Sequence, residues 1–541
     1  MSLRSFHKRN IMSNSCKFRC SLPGPPQENE TDISMPPLKP PMSLENRCLQ
    51  TVVTILRQIC WSWIQDMYAA AQTDSESYMH RTQFVLSQCE KLREVLLDVT
   101  KPVLNQFIPK LARKFVNMIT NYDRSLRELQ PRFWDEDRHN IVSAAILRSV
   151  LNYTTEYYDT HAINSSFAQS LVIQTLDSVP GLLDFNLDTG TQIQNSSLLA
   201  SKIHHLKLLR TFRYFYDCTD EVIEQLRLHC PQLRKINVTG SYGVTDASVR
   251  HLMQLRELRS VGVPHTSISE AHYGSLLSEL PHIKDIIFWE PESNILDHIA
   301  VENLDTISHV IGYIEDINLV TQKCPNMTYL ELYSIPDDLS PLTVLTALDS
   351  LKISNGHYVT CNLTNVLRGI GHRLRYLRLS KVRDTNLHDI VTLCPCLEIL
   401  ILWECIFSPL NQNTRIDPQL PHFRSVITLK IRKKLRGQIS YKYLLYYVRL
   451  KTILLHGVNI FTMDVMREAI RRGTFTHLEH FYIRETRHGA LTIEAVDLLI
   501  EHCSYLKGLG YLRRCPLIDI FSIQQLKSRI LERNFDLEIE D

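Results

Sequence analysis

The stretch Cys230–Leu252 reads CPQLRKINVTGSYGVTDASVRHL, and it decides the fold. Leu233, Ile236 and Val238 follow the spacing L-x-x-L-x-L, which predicts a short strand with Ile236 and Val238 on one face. A turn follows, and Asp246 is placed to cap the first turn of a helix. One such unit cannot bury its apolar face alone, so it must recur and stack on copies of itself.

The same spacing does recur along the chain. Strands are predicted to start at Leu182, Leu209, Leu233, Leu258, Ile283, Met327, Leu348, Leu374, Leu397, Val426, Leu450, Leu478 and Leu506, with a weaker one at Leu304. Most successive starts are about 21 to 29 residues apart, a length typical of a repeat with one strand and one helix. The pattern therefore predicts an α/β solenoid.

A cysteine precedes several of these strands. Cys230-Pro231, Cys324-Pro325 and Cys394-Pro395 stand directly before a strand, and Cys503 takes the same place without the proline. Proline ends the preceding helix without removing a ladder hydrogen bond, and the thiol packs as a small apolar group. With the Thr-Asp helix start, this pattern resembles the cysteine-containing leucine-rich repeats of intracellular F-box proteins and related ubiquitin-ligase receptors. The resemblance covers about residues 180–520 and implies a leucine-rich-repeat solenoid.

Four segments are predicted along the chain. Residues 1–42 are rich in proline and polar residues, which favours a disordered tail. Residues 43–160 carry apolar residues at helical spacing and form a small all-helical module, whose last helix is expected around 140–157. Residues 161–530 hold the repeats, and residues 531–541 form a C-terminal cap or tail.

The composition limits which partners and which cellular compartment are expected. The 541 residues carry a net charge of +2, which gives no general electrostatic reason to expect nucleic acid or an anionic membrane as a partner. The sequence shows neither a long apolar run of about 18 residues nor a secretory apolar region. The 14 cysteines are spread over the chain, many of them at predicted strand and helix ends, as small buried thiols in a reducing compartment are. We expect a cytoplasmic protein, with a nuclear location also open.

The start of the helical module contains the sharpest motif. Ser43, Leu44, Cys48 and Val52 resemble the BC-box of proteins that bind the Elongin B/C adaptor, whose pattern is Ser/Thr/Pro, Leu, three residues, Cys, three residues and an aliphatic residue. Leu44 and Cys48 lie one helical turn apart and would enter an apolar groove together. The resemblance implies that these four residues grip the adaptor. The alternative is an ordinary amphipathic helix whose cysteine faces its own domain.

Two further segments bear on the cullin and on a rival adaptor. Receptors of this class carry a cullin-contacting segment downstream, and residues 108–116 have a similar shape, although a small Ala112 replaces the usual larger residue. That resemblance implies cullin contacts from Ile108, Pro109 and Val116.

The rival adaptor-binding module is an F-box, which binds the Skp adaptor. Residues 59–63 resemble the end of an F-box, but its Leu-Pro-x-Glu opening is absent.

Catalytic signatures are missing from the sequence. It contains no G-x-G-x-x-G, P-loop, G-x-S-x-G or H-E-x-x-H motif. Cys16 with Cys20, and Cys394 with Cys396, lack a second ligand pair at a zinc spacing. We therefore expect no catalytic residues, no metal and no cofactor.

The predicted strands supply a binding surface. In a repeat solenoid the residue between the last two apolar positions of L-x-x-L-x-L projects from the concave face. These positions, with Trp403 at the rim, provide the substrate-binding candidates Glu331, Arg378, Trp403, Lys430 and Tyr482. Arg, Trp and Tyr dominate binding hot spots, although each residue alone can equally be a solvated strand position. The basic cluster at residues 432–436 can likewise be a solvated loop.

The resemblances together imply a function. They imply a substrate-recognition subunit of a cullin-RING ubiquitin ligase, which binds an Elongin B/C or Skp adaptor through its N-terminal helix and an unknown protein substrate through the repeats. The alternative is a repeat scaffold without a ubiquitin link. The exposure of Leu44 and Cys48 separates the two, because side chains buried in their own module would remove the main support for the ligase interpretation.

Overall fold

The computed structural model describes most of the helical module and of the repeats. The described residues are 38, 44–97, 112, 115–121, 123, 132–133, 135–151, 155–159, 166–187, 195–288, 295–299, 304–334, 338–408, 425–432, 449–458, 461–485 and 489–540. Ser43, Ile108, Pro109 and residues 433–436 of the predicted basic cluster lie outside them.

Helices form the N-terminal region. Helix α1 runs from Leu44 to Thr73 and helix α2 from Ser75 to Leu97. Asp74 separates them, and its carboxylate accepts a hydrogen bond from the backbone N–H of Ser77 at 2.7 Å, which caps α2. Residues 115–121 are helical, and a further helix spans Glu136–Val150. The helix expected to reach residue 157 therefore ends earlier.

The strands form two parallel sheets. The first sheet has the order β1 Tyr157–Asp159, β2 Asp184–Leu187, β3 Thr211–Tyr214, β4 Lys235–Asn237 and β5 Ser260–Gly262. The second runs through β6 Asp285–Phe288, β7 His309–Gly312, β8 Tyr329–Leu332, β9 Ser350–His357, β10 Tyr376–Arg383, β11 Ile399–Trp403, β12 Thr428–Arg432, β13 Thr452–His456, β14 His480–Arg484, β15 Gly508–Gly510 and β16 Glu538–Glu540. The two sheets meet where the backbone N–H of Lys284 donates to the carbonyl of Arg259 at 2.8 Å.

The helices of the repeats alternate with these strands. They span Ser166–Gln174, Ser196–Lys202, Asp220–His229, Val249–Leu252, Glu270–Glu279, Ile317–Lys323, Leu363–Ile370, Leu387–Leu393, Met463–Arg471, Ile493–His502 and Ile520–Glu532. Short 3-10 turns lie at Leu176–Ser178, Ile203–His205, Asp246–Ser248, Ile295–His298, Ser340–Val344 and Leu512–Arg514. The strand-plus-helix order and the parallel sheets are those of a leucine-rich-repeat solenoid, so the predicted fold class is confirmed.

The predicted strand starts are confirmed, apart from the weaker one. Each of the other starts is followed two residues later by an observed strand. The weaker start at Leu304 is wrong, because β7 follows Ile307 instead. Gly312 takes the last apolar position of that strand with a φ of +130°, and a Cβ there would lie 1.7 Å from the carbonyl oxygen of Phe288. Only glycine fits this position, and its presence hid the pattern.

The core explains why the spacing is so regular. Buried and partly exposed residues alternate along the strands, and the buried side chains of strands and helices join one continuous core. Each fully buried Leu, Ile, Val or Phe stabilises the fold by about 1.5–3 kcal/mol. Cys230, Cys324, Cys394 and Cys503 end their helices and are buried, as the sequence predicts.

Aspartates connect successive repeats at the helix starts. Thr245, and not Asp246, caps the turn at Asp246–Ser248, because its hydroxyl accepts from the N–H of Ala247 at 3.2 Å. Asp246 instead accepts from the backbone N–H of Ser269, one repeat further on, at 2.7 Å. The predicted capping role of Asp246 is therefore wrong, and this carboxylate links two repeats.

Strand β16 and Leu38 lie at the end of the array. Strand β16 pairs with β15, so the sheet continues through Glu540. Leu38 forms an isolated antiparallel bridge with Phe535. The second sheet thus ends on β16, whose Glu538 and Glu540 place negative charge at its edge, as edge strands commonly do.

Candidate functional site

Helix α1 has apolar side chains on two faces. One face is buried and contributes Val53, Leu56, Cys60, Ile64, Met67 and Ala71 to the core. A second face carries Cys48, Val52, Ile55 and Ile59, whose spacings of four, three and four residues place them in one line. Val52 is 40% exposed, Ile55 47% and Ile59 38%. We call these four residues the α1 stripe.

The α1 stripe contains part of the predicted adaptor box. Cys48 and Val52 are exposed, so they do not face the core of their own module. Leu44 begins α1, but the structure does not describe its side chain. Ile59 extends the exposed line by more than a turn beyond the predicted box, and sequence reasoning missed it. The apolar residue four positions after Ile55 was the available signal.

The predicted cullin-contacting segment is less accessible. Val116 is 1% exposed and belongs to the core beside Phe115 and Ile119, because this helical turn packs inside the module. Val116 is therefore not a surface contact in this chain, and a partner at this helix would meet other side chains first.

Thiol burial separates the cysteines of α1. Burial raises the pKa of the Cys60 thiol far above its usual range, and burial raises the pKa of Cys89 on α2 to about 12. Cys48 is exposed on the α1 stripe. The two cysteines of α1 therefore differ sharply in accessibility.

The second candidate surface is the open face of the β6–β16 sheet. We use this name for the strand side chains that alternate with the core-facing ones. Register places one residue of each strand in a single central row: Ile287, Ile311, Glu331, Lys352, Arg378, Ile401, Lys430, Leu454, Tyr482, Gly510 and Glu540. Four of the five predicted substrate-binding residues thus lie in one row. Trp403 is the last residue of β11 and lies in the next row.

An ion pair lies in the first part of this row, next to the ring of Tyr329. The ammonium of Lys352 lies 3.1 Å from the Glu331 carboxylate, and it lies 4.9 Å from the centroid of the Tyr329 ring. The hydroxyl of Tyr329 donates to the same carboxylate. Burial, then this hydrogen bond, raises the pKa of Tyr329. Lys352 and Glu331 therefore neutralise each other largely within the sheet.

A cation-π contact marks the carboxyl end of β11. The guanidinium of Arg432 lies 4.6 Å from the centroid of the Trp403 ring. Its Nε lies 3.6 Å from the carboxylate of Glu404, which follows Trp403. These contacts hold Arg432 against the indole ring at the rim of the open face.

Arg378 and Lys430 form fewer polar contacts than Lys352 and Arg432. The Nε of Arg378 donates to the hydroxyl of Ser380 at 3.2 Å. Within the described part of the chain neither residue forms an ion pair with a carboxylate. Their charges are therefore available to a partner.

Tyr482 lies near the end of the row, two strands before Glu540. Its hydroxyl donates to the Glu540 carboxylate at 3.3 Å, and its ring stacks on His480 at 5.9 Å between centroids. A Cβ at Gly510 would lie 2.1 Å from a carbon of the Tyr482 ring. Glycine at that position is what lets the ring lie flat across β15.

The row that contains Trp403 and Arg432 also holds two basic residues, His456 and Arg484, that sequence reasoning missed. Arg432, His456 and Arg484 lie side by side on β12, β13 and β14. Burial, then the charges of Arg484 and Arg432, lowers the pKa of His456. His456 and Arg484 stand two residues after the central-row position, a spacing that could have found them.

In the described residues no group of three or more His, Cys, Asp or Glu side chains is placed to hold a metal ion. Across the same ranges, no helix combines the length and apolar character needed to cross a bilayer.

Comparison of this chain with known proteins finds similar solved structures only at low sequence identity. No family model and no curated protein matches the chain. Among solved structures it is similar to an internalin from Listeria monocytogenes, with 15% identity and a TM-score of 0.39 over 63% of this chain and 88% of that chain. It is also similar to a chain of the Rad7 and Elc1 complex in yeast, with 15% identity and a TM-score of 0.32 over 92% of this chain and 93% of that chain. At this identity and these TM-scores, neither likeness bears on function.

Proposed function

We propose that this chain is the substrate-recognition subunit of a cullin-RING ubiquitin ligase and binds an Elongin B/C adaptor through α1. The α1 stripe carries the proposal. Its first two residues are the cysteine and the aliphatic residue of the BC-box pattern, and they are exposed. An alternative in which this face of α1 belongs to the module's own core would have left them buried.

The packing of α1 favours docking from one side. Val53, Leu56 and Cys60 fix the helix to its own module, so a partner meets the α1 stripe without competing for the core. A helix that presents apolar side chains at spacings of three and four residues fits an apolar groove on a partner. Burying an exposed Val or Ile there contributes about 1–2 kcal/mol each.

The repeats supply the other half of the function. The open face holds a protein substrate, and the adaptor connects the chain to a cullin and to the charged conjugating enzyme. Holding the substrate beside that enzyme raises the local concentration of the reacting groups, so the chain itself needs no catalytic residues.

The test is co-purification of adaptors with variants of the α1 stripe. Val52→Asp/Ile55→Asp places two charges in the stripe, and Gln58→Asp places one on another exposed face of the same helix. We expect the wild type and Gln58→Asp to recover Elongin B/C and a cullin, and the double variant to recover at least about tenfold less.

Other outcomes reassign the protein. Recovery of the Skp adaptor in place of Elongin B/C would make it an F-box-type receptor. Recovery of neither would make it a repeat scaffold without a ubiquitin link. Undiminished recovery of Elongin B/C by the double variant would show that the α1 stripe is not the contact.

A further inference from the structure

We propose that the open face of strands β9–β14 binds an extended acidic peptide segment. The inference rests on the proposed function only in that this segment would belong to the substrate.

The charge distribution on these six strands is one-sided. Three rows of open-face positions cross them, and the rows contain five cationic side chains and no carboxylate: Lys352, Arg378, Lys430, Arg432 and Arg484. The whole chain carries a net charge of only +2, so this excess is local. A face of one sign attracts a partner of the opposite sign.

Much of this charge is not neutralised by the fold. Lys352 is paired with Glu331, and Arg432 lies near Glu404. Arg378, Lys430 and Arg484 make no ion pair with a carboxylate of the described residues. An acidic ligand would therefore find cations on β10, β12 and β14 that need not leave an existing partner.

Acidic residues border the cationic strands β9–β14 on both sides of the sheet. Asp285 and Glu331 occupy open-face positions on β6 and β8, and Glu538 and Glu540 do so on β16. Six strands spaced by about 4.8 Å span about 24 Å, which about seven residues of extended chain cover. A short acidic peptide fits between these carboxylates, whereas a long nucleic acid would cross them. This favours a peptide.

Aromatic rings within the stretch provide apolar contact area. Tyr376, Trp403 and Tyr482 lie on β10, β11 and β14, interleaved with the cations. Flat rings of this kind act as anchors in peptide interfaces at a small cost in side-chain entropy. The expected ligand therefore combines several Asp or Glu residues with an apolar or aromatic one.

The surroundings of His456 agree with this assignment. Arg432 and Arg484 flank it on the neighbouring strands, and the Tyr511 ring lies 5.4 Å away. The two guanidinium groups disfavour a third positive charge on the imidazole. A ligand carboxylate at this point would offset their repulsion.

The experiment selects peptides on the full-length chain without any adaptor. A display library of random 12-residue peptides is enriched on the immobilised protein, and the survivors are sequenced. We expect survivors with at least three acidic residues. Enrichment of neutral or basic sequences, or no enrichment, would overturn the proposal.

Variants then locate the site. A fluorescein-labelled selected peptide is titrated with the wild type, with Lys430→Glu/Arg484→Glu and with Arg467→Glu, a control on the exposed side of a repeat helix. We expect about thirtyfold weaker binding for the double variant and a change below about twofold for the control. Equal binding by all three proteins, or tighter binding of a 12-nucleotide single-stranded DNA, would contradict the assignment. Because no adaptor is present, failure here leaves the adaptor experiment standing.

Discussion

The helical region and the repeat region expose different chemistry. In the repeats, Leu330 and Leu332 are fully buried, while Glu331 between them is polar and paired with Lys352. In α1, the α1 stripe leaves Val52 and Ile55 in contact with water. The core-facing apolar side chains of the repeat strands are thus buried, whereas those of the α1 stripe are exposed.

This difference separates two kinds of recognition. A line of apolar side chains on a helix fits an apolar groove on one constant partner, such as an adaptor. Polar and charged positions on a sheet can change without loss of the core, so they suit a partner that must be discriminated from others. Function is thus argued from the two surfaces and not from the solenoid itself.

The largest difference in stability is expected between substitutions on the two sides of β14. Phe481 is fully buried and packs 5.2 Å from the Phe461 ring, whereas Tyr482 lies on the open face. We expect Phe481→Ala to cost about 3–5 kcal/mol of unfolding free energy. Tyr482→Ala should cost about 1 kcal/mol or less and mainly weaken ligand binding.

Urea denaturation followed by circular dichroism measures both variants. Equal losses for the two substitutions would contradict the division of the strand into a core side and an open side.

The same comparison applies within α1. Ile64 lies on the buried face, and Ile55 lies in the α1 stripe. We expect Ile64→Ala to cost about 3 kcal/mol and Ile55→Ala about 0.5 kcal/mol or less, because only the first leaves a cavity. Thermal unfolding of the two variants provides the measurement. A large loss for Ile55→Ala would mean that the stripe stabilises the fold and is not reserved for a partner.

Prediction from sequence succeeded where the signal is local and repeated. Leu, Ile and Val at L-x-x-L-x-L positions revealed nearly every strand, because each such side chain must reach the same core. Strand β1 at Tyr157–Asp159 was missed, since it lacks this spacing and is ordered by pairing with β2.

The site was less predictable, because it depends on contacts between distant residues. The spacing of Cys48, Val52 and Ile55 was visible, but their exposure depends on which helices pack against α1. The pairing of Glu331 with Lys352 likewise depends on the register of β8 with β9. Which cations remain available to a partner therefore required the structure.

A smaller effect on stability is expected from the pH dependence of an ion pair beside the strands of the repeats. Glu479 accepts hydrogen bonds from Lys451 at 2.8 Å and Lys507 at 2.9 Å, and these hold the pKa of Glu479 at about 2. A lowered carboxyl pKa stabilises the folded state above the ordinary value of 4.5, and that contribution is lost as the pH falls from 4.5 towards 2. We expect Glu479→Gln to cost about 1 kcal/mol or less at pH 7 because the lysines are exposed, and less still at pH 3.

Urea denaturation at pH 7 and pH 3 checks this, with Glu257→Gln as an exposed control that forms no ion pair with a described residue. A difference between Glu479→Gln and the wild type that is the same at both pH values would rule out the ion-pair explanation.

The most direct test of adaptor binding by α1 compares two cysteines in one molecule. Cys48 lies in the α1 stripe and Cys396 lies in the repeats, and both are exposed. Brief alkylation with iodoacetamide, with and without saturating Elongin B/C, is quantified for each cysteine by peptide mass spectrometry. We expect the adaptor to slow the alkylation of Cys48 at least about tenfold and to leave that of Cys396 unchanged. Unchanged alkylation of Cys48 while the adaptor is bound would contradict the assignment of α1 as the adaptor-binding helix.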